Sequence, residues 1–320
     1  MARAGLHPEP ENARPSTVPP RPEAAAAAAT PAGAETVATV AAKAHNENFP
    51  VALRLLPARH RRHLMAVYVF ARTVDDIGDR APVADRVGLL DELEADLRRL
   101  YTEVEEGPAP PASPEAPKLL AIKGLNRTVT DCAIPIQPFL DLIQANRQDQ
   151  AVSRYETFED LVGYCRLSAN PVGRIVLYVF GQFTDARAAQ SDLVCTALQL
   201  AEHWQDIGED YRDGRIYLPQ TDLREYGCEE QDLAAPAAPP RLRRLMEFET
   251  KRAQAMLDEG APLVGTLRGT ARLAVAGYVA GGRAALAAIK AADHDSLAAT
   301  PRPGKAKTLT ELAKTITAGR

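Results

Sequence analysis

Two stretches of the 320-residue chain set several carboxylates on one side of a helix whose other side is apolar, and any fold must accommodate both. The first is Tyr68-Val-Phe-Ala-Arg-Thr-Val-Asp-Asp-Ile-Gly-Asp79, entered through Leu64, Met65, Val67, Val69 and Phe70 at helical rather than strand spacing. At about 100° per residue, Tyr68, Arg72, Asp75 and Asp79 fall within roughly 60° of one another, with Asp76 at the edge of that face. Charges crowded beside a core-facing stripe need partners. A divalent cation is one such partner, since Mg²⁺ takes oxygen ligands and shares them with substrate phosphates. A solvated acidic helix end, with Arg72 as an ion-pair partner, is the other reading.

Gln199-Leu-Ala-Glu-His-Trp-Gln-Asp-Ile-Gly-Glu-Asp210 repeats the pattern. On an ideal helix Glu202, Asp206 and Asp210 lie within about 80°. Asp206 and Asp210 are one turn apart, where two carboxylates repel unless a cation stands between them. Two such helices facing each other across a bundle would form a carboxylate-lined cup, in which a metal can bridge to a phosphate ester. Arg212, Arg215 and Tyr217 follow in Tyr-Arg-Asp-Gly-Arg-Ile-Tyr-Leu-Pro219. They form either a cationic, hydroxyl-bearing flap for a polyanion or a charged surface turn.

The rest of the chain is read as helix. Residues 1–35, rich in Pro and Ala, are expected to form a disordered tail. A helical domain is expected over 36–300, with helices after Pro57 and over Asp85–Thr102, Leu119–Val129, Ile136–Asn146, Phe158–Leu167, Pro171–Phe180, Asp192–Tyr211, Arg241–Leu257 and Thr266–Ala292. The segment 301–320 gives weak signals. Loops are expected at Val104–Pro117 and Pro236–Pro240. Neither strand alternation nor a βαβ rhythm is visible, and the fold class is all-α.

Bulk properties exclude several functions. A net charge of −4 gives no field for nucleic acid, and no nucleic-acid-binding motif is present. The four cysteines, Cys132, Cys165, Cys195 and Cys228, have neither zinc spacing nor a disulfide pattern. No apolar run approaches the roughly 18 residues of a membrane span, and no secretory signal is expected. A basic patch, Arg54, Arg59, His60, Arg61, Arg62 and His63, is read as a solvated helix face or as a contact for anionic lipid or diphosphate. No Gly-x-Gly-x-x-Gly follows a strand, so no nicotinamide cofactor is expected.

Tyr68-x-x-x-Arg72-x-x-Asp75-Asp76-x-x-Asp79 resembles the first aspartate motif of the squalene/phytoene synthase family, and Gln199 through Pro219 resembles the second. Tyr164-Cys-Arg-Leu-Ser-Ala-Asn-Pro-Val-Gly173 is similar to the family's mid-chain helix. The resemblance runs from about His45 to Ile289. Within the family, Asn-Glu-Asn-Phe-Pro-Val-Ala52, the Ser-Ala-Asn-Pro turn, His-Trp-Gln-Asp206 and Asp-Glu-Gly-Ala-Pro-Leu-Val264 resemble bacterial hydroxysqualene synthases of hopanoid biosynthesis.

The resemblance implies a single large helical bundle of the isoprenoid synthase type with a central cavity. It also implies Mg²⁺-dependent conversion of presqualene diphosphate to hydroxysqualene, a carbon–oxygen lyase reaction. Metal-associated residues would be Asp75, Asp79, Glu202, Asp206 and Asp210, with Tyr68 and Arg72 completing the catalytic group. Substrate would meet His45, Asn46, Asn48, Tyr164, Asn170, Gly173, Gln199, Arg215 and Tyr217. Asn170 and Ser168 are candidates to position a water, although Asn170 reads first as a helix cap before Pro171. Val172, Ile175 and Val176 would line the cavity.

Glu202 stands where condensing members have a metal-binding asparagine, Gln205 where they have an arginine, and Gly282 where a tyrosine is expected. Condensation of two prenyl diphosphates by a prenyl transferase, as in squalene or phytoene synthases, is the alternative activity. A non-catalytic scaffold member of the family is the alternative of another class. Expected partners are a lipophilic prenyl diphosphate and pathway enzymes. The expected location is the cytoplasm, with peripheral contact at the inner membrane face.

Overall fold

The structure, a computed structural model, describes residues 56–107, 116 and 118–318. The expected tail, the helix expected from Glu35, and His45, Asn46, Asn48 and Arg54 lie outside the described residues. Among the described residues the chain is helical without a named strand, and one isolated bridge pairs Arg154 with Ile216.

Helix α1, Ala58–Arg80, opens directly behind Pro57, whose fixed φ suits the position before a helix. It buries Leu64, Val67, Phe70 and Val74 at intervals of three or four residues. Helices α2 (Arg86–Glu106), α3 (Leu120–Cys132), α4 (Gln137–Asp149) and α6 (Asn170–Val179) close around that stripe. The Phe70 and Phe139 rings meet edge to face at 5.1 Å. Asp96 of α2 is buried and accepts from the backbone N–H groups of Lys118 and Leu119, which fixes the start of α3.

A second core gathers α5 (Phe158–Ser168), α7 (Asp185–Arg212), α9 (Pro240–Gly260) and α11 (Gly269–Ala291) around the fully buried Trp204. Thr157 and Asp160 cap α5 reciprocally, each side chain taking the other's backbone N–H. Short helices α8 (Gln220–Glu225) and α10 (Leu263–Thr266), and a 3₁₀ turn at Glu230–Ala234, join these pieces. Helix α11 is long and apolar enough to cross a membrane by length and composition, but half of its most apolar window is buried in the bundle.

Three expectations are corrected. Helix α4 runs on to Asp149, three residues past the expected end, and α7 starts at Asp185 rather than Asp192. Within 301–320, residues Lys305–Ala318 form helix α12, which packs on α11. Arg272 and Arg283 of α11 donate to the Ile316 carbonyl and Thr315 Oγ1 of α12, at 3.1 Å each. These tertiary contacts supply what local propensity lacks.

The basic patch also divides. Arg59, Arg61 and Arg62 are exposed, whereas His60 and His63 are buried. His60 lies edge-on to Phe180 at 4.9 Å, and His63 Nδ1 meets Thr128 Oγ1 at 3.1 Å. Burial lowers the pKa of both histidines.

Candidate active site

The first acidic stripe occupies the last turns of α1. Asp76 at its edge is paired with Arg72 and with Arg80, each at 3.1 Å, and so is neutralised within its own helix. Asp75 and Asp79 carry the free face. Asn146 of α4 donates to Asp75 Oδ1 at 3.4 Å. Gly78 makes this approach possible, because a Cβ there would collide with the Asn146 amide. Gln150 donates to the Gly78 carbonyl at 3.2 Å, and Arg86 donates to the Asp79 carbonyl at 2.9 Å, so the end of the stripe is held from both sides. Asp75 keeps accessible surface, yet the surrounding bundle desolvates its carboxyl and pushes it up to about 6 against the Asn146 hydrogen bond, with Asp79 adding repulsion.

The second stripe departs from the ideal helix. Helix α7 breaks at Asp206, whose φ of −106° and ψ of 15° are not helical. Asp210 therefore does not continue the regular row of Glu202 and Asp206. Two contacts to the segment after α11 flank the break: Gln205 donates to the Pro301 carbonyl, and Gly208 lies against Leu297. Glu202 is exposed. Desolvation raises the pKa of Asp206, with further upward pressure from Asp210 and Glu209, and Arg302 opposes them.

His203 sits between Gln199 and Asp210. Its Nε2 is 3.2 Å from Gln199 Nε2, its Nδ1 is 3.9 Å from Asp210 Oδ2, and its ring stacks on Tyr217 at 3.6 Å.

The two stripes meet through the flap after α7. Arg215 lies 3.6 Å from Asp79, and Tyr217 is buried against the site, while Arg212 stays exposed. The flap is fixed by Ile216 N–H donating to the Ser153 carbonyl at 3.0 Å and by Arg154 donating to the Gly214 carbonyl at 2.7 Å. Tyr164 Oη donates to Asp149 Oδ2 at 2.8 Å. Tyr155, Tyr164 and Tyr217 form an aromatic wall with centroids 5.5 to 5.9 Å apart.

Desolvation lifts Asp149 to about 6, against the Tyr164 hydrogen bond and the charge of Arg215. Arg215 loses by desolvation, but Tyr217, Asp149 and Asp79 together hold it above its ordinary value. Tyr164 and Tyr217 stay protonated, raised by desolvation and then by Asp149.

Among the expected site residues, Asp79, Tyr164, Gln199, Asp210, Arg215 and Tyr217 are linked, directly or through Asp149 and His203, into one network. Asp75 joins through its repulsion with Asp79, and Asp206 through Asp210. Tyr68 and Arg72 are half-buried on the same helix as Asp75. Asn170 and Gly173 stand apart. Asn170 does not cap α6; its Oδ1 accepts from Thr196 Oγ1 at 3.0 Å. A Cβ on Gly173 would collide with Ser191 Oγ and Cys195 Sγ, so this glycine lets α6 and α7 touch. Gly282 is likewise a packing residue, where a Cβ would stand 2.7 Å from Leu198 and 3.0 Å from Leu257. One turn earlier, α11 carries Tyr278, which lies near Cys195.

Three contributors were not singled out in the sequence. Asn146 and Asp149 share one end of α4 at a spacing of three, and that spacing was their only local signal. His203 lay inside the second motif unassigned.

Among the described residues no three His, Cys, Asp or Glu side chains are gathered into a metal cage. The donor set still suits Mg²⁺. It consists of hard carboxylate oxygens in two groups: Asp79 pushes the Asp75 carboxyl up, and Asp210 does the same to Asp206. Mg²⁺ ordinarily takes one or two carboxylates and completes its shell with waters and substrate phosphate.

Comparison with known proteins fits this arrangement. The family model for squalene/phytoene synthase matches residues 42–309. A hydroxysqualene synthase of Rhodopseudomonas palustris is 36% identical over 232 residues, covering 71% of this chain and 74% of that protein. Phytoene synthase 2 of Zea mays is 32% identical over 274 residues, 83% of this chain and 65% of the relative. The crystal structure of a squalene synthase from Alicyclobacillus acidocaldarius superposes with a TM-score of 0.72 at 41% identity, covering 81% of this chain and 94% of that one. Family membership implies a Mg²⁺-dependent mechanism. The chain belongs to the squalene/phytoene synthase family, whose enzymes act on lipophilic prenyl diphosphates.

Proposed function

We propose that this protein converts presqualene diphosphate to hydroxysqualene. The observation that carries the reading is the engagement of Gln205. The position where the family resemblance places an arginine holds a neutral amide, and that amide donates to the Pro301 carbonyl. The second stripe thus lacks a cation at that position, which suits one diphosphate better than the two that condensation must hold. The similarity to the Rhodopseudomonas palustris hydroxysqualene synthase supports the same product.

In this mechanism Asp75, Asp79, Asp206 and Asp210, with the exposed Glu202, would hold Mg²⁺. When bound, Mg²⁺ supplies positive charge opposite the departing diphosphate. Arg72 and Arg215 add fixed charge at the same end. The carbon–oxygen bond breaks with its electron pair going to diphosphate, leaving a cyclopropylcarbinyl cation. The aromatic wall of Tyr164 and Tyr217 would stand beside that cation and stabilise it electrostatically, Tyr217 with one face already taken by His203. Tyr155 backs them and keeps solvent out, so that rearrangement precedes capture by a single water. His45 is assigned to the diphosphate from the sequence alone.

Purified protein incubated with presqualene diphosphate, Mg²⁺ and no reductant should yield hydroxysqualene by mass spectrometry. Squalene alone, or no conversion, refutes the assignment. Productive consumption of farnesyl diphosphate would instead favour the condensing activity, for which Tyr278 offers a tyrosine on α11. A non-catalytic scaffold member would show neither turnover nor Mg²⁺-dependent stabilisation by a diphosphate analogue.

Peripheral membrane contact is assigned to Arg59, Arg61 and Arg62. Co-sedimentation with anionic vesicles should fall when Arg61 and Arg62 become glutamate, and unchanged binding removes the patch from that role.

A further inference from the structure

At the foot of the site a small cavity opens between α7, the flap and the 3₁₀ turn. Its polar wall is His203, Asp210, Arg215 and Tyr217; Ile207 and Leu233 are on its apolar side. The centre of a water-sized sphere can move through about 10 Å³ there, which is room for roughly one water and far too little for a prenyl chain. A buried water needs two to four polar partners, and the polar wall provides them. This is the part of the site where water fits and carbon skeleton does not.

His203 gives the cavity direction. Gln199 presents its amide nitrogen to His203 Nε2 at 3.2 Å, and that nitrogen has only protons to offer. In the tautomer that lets Nε2 accept from Gln199, the ring proton sits on Nδ1, on the side of Asp210. Stacking on Tyr217 at an interplanar angle of 16° holds the ring in that orientation. The separation of Nδ1 from Asp210 Oδ2, 3.9 Å, is too long for a direct hydrogen bond. A water set to one side of the line between them can still reach both groups, and the cavity lies against both. Arg215 is turned to Asp79 at 3.6 Å, and His203 is the donor that faces Asp210 in this cavity.

We propose that His203 and Asp210 hold, in this cavity, the water that captures the rearranged cation, making His203 a determinant of the alcohol product. One lone pair of the water accepts Nδ1–H, one of its O–H bonds points to the Asp210 carboxylate, and its second lone pair faces the cation. That lone pair forms the new carbon–oxygen bond. One O–H bond of the resulting oxonium then breaks, and its proton passes to the diphosphate released in the same turnover, leaving a neutral alcohol. The inference rests on the hydroxysqualene reading for its chemistry, while the water site itself stands on geometry alone.

The two are tested separately. A high-resolution crystal structure of the full-length wild-type protein should show an ordered water within hydrogen-bond distance of His203 Nδ1 and Asp210; an empty cavity overturns the proposal, whatever the reaction proves to be. Product analysis with presqualene diphosphate and Mg²⁺ tests the role. His203→Phe keeps a ring against Tyr217 but has no donor, and Leu233→Phe fills the cavity from its apolar side. Hydroxysqualene as a share of total product should fall about tenfold in His203→Phe, the effect of one lost hydrogen bond of ordinary strength, and at least as far in Leu233→Phe, which excludes the water. His203→Asn should recover part of that share. A merely structural defect lowers total turnover and leaves the share unchanged, and that result in both variants overturns the proposal. Wild-type protein that makes no hydroxysqualene while the ordered water is present refutes the reaction and the role assigned to the water, but not the site.

Discussion

Arg215 reaches Asp79 across the site, its guanidinium 3.6 Å from the carboxylate, and so ties the flap that follows the second acidic stripe to the end of the first. The same arginine answers the charge of Asp149 and bonds Tyr217. Removing it would leave Asp79 and Asp149 without their common cation. Arg215→Ala should lower kcat/KM for presqualene diphosphate by about a hundredfold with helicity retained, in line with the loss of a preorganised charge. Arg215→Lys should recover only part of this, because a lysine cannot serve several partners through a rigid fork. Steady-state kinetics and circular dichroism check both outcomes.

Asp206 sits at the break in α7, half-exposed and repelled by Asp210 and Glu209. Asp206→Asn removes a charge and keeps the shape, so the helix content should be unchanged and turnover nearly abolished. The Mg²⁺ concentration needed for half-maximal stabilisation by a diphosphate analogue should rise as well. Wild-type rates in this variant would take the second stripe out of the metal site.

Asp149 is the half-buried acid at the centre of the network, and desolvation raises it from its ordinary range to about 6. Between about pH 4 and 6 the unfolded chain has already released this proton while the folded chain keeps it, so stability falls as pH rises through that window. Above it the cost is fully present. Asp149→Asn lacks this term. The melting temperature of the variant relative to wild type, in metal-free buffer, should therefore rise from pH 4 to 6 and level off above. His60, His63 and His294, whose lowered pKa values act in the opposite direction, cancel in the difference. A flat difference across the window would show that Asp149 is not shifted.

Gly173 separates two roles, substrate contact and helix packing. A methyl group there meets Ser191 and Cys195 of the neighbouring helix. Gly173→Ala should cost about 1–3 kcal/mol of stability, the usual effect of overpacking, and lower the melting temperature. Substrate KM, measured well below that temperature, should stay within about twofold if packing is the whole role, since no binding contact is then lost. A KM increase without loss of stability would restore Gly173 to the substrate site.

Much of the fold was legible because helix formation is written in local periodicity. Leu64, Val67, Phe70 and Val74 mark the buried face of α1 at spacings of three and four, and the core forms there. Helix α12 was not legible: its anchors, Arg272 and Arg283, lie more than thirty residues away. In the site, Asp75 and Asp79 could be read as one face, and Asp76 as its edge, because a regular helix carries them. The second row could not be read so directly, since the break at Asp206 is flanked by contacts from Leu297 and Pro301, distant in sequence.

The sequence by itself determined an all-α chain, two acidic stripes in a set order, and the family to which their spacing points. Each depends on residues within a few turns of one another. Only the tertiary structure decided that Arg215 joins the stripes, that Gly173 and Gly282 are sites of close helix packing, and that Asn146, Asp149 and His203 belong to the site. Those assignments rest on distances between side chains from separate helices, and packing sets them rather than the pitch of any one helix.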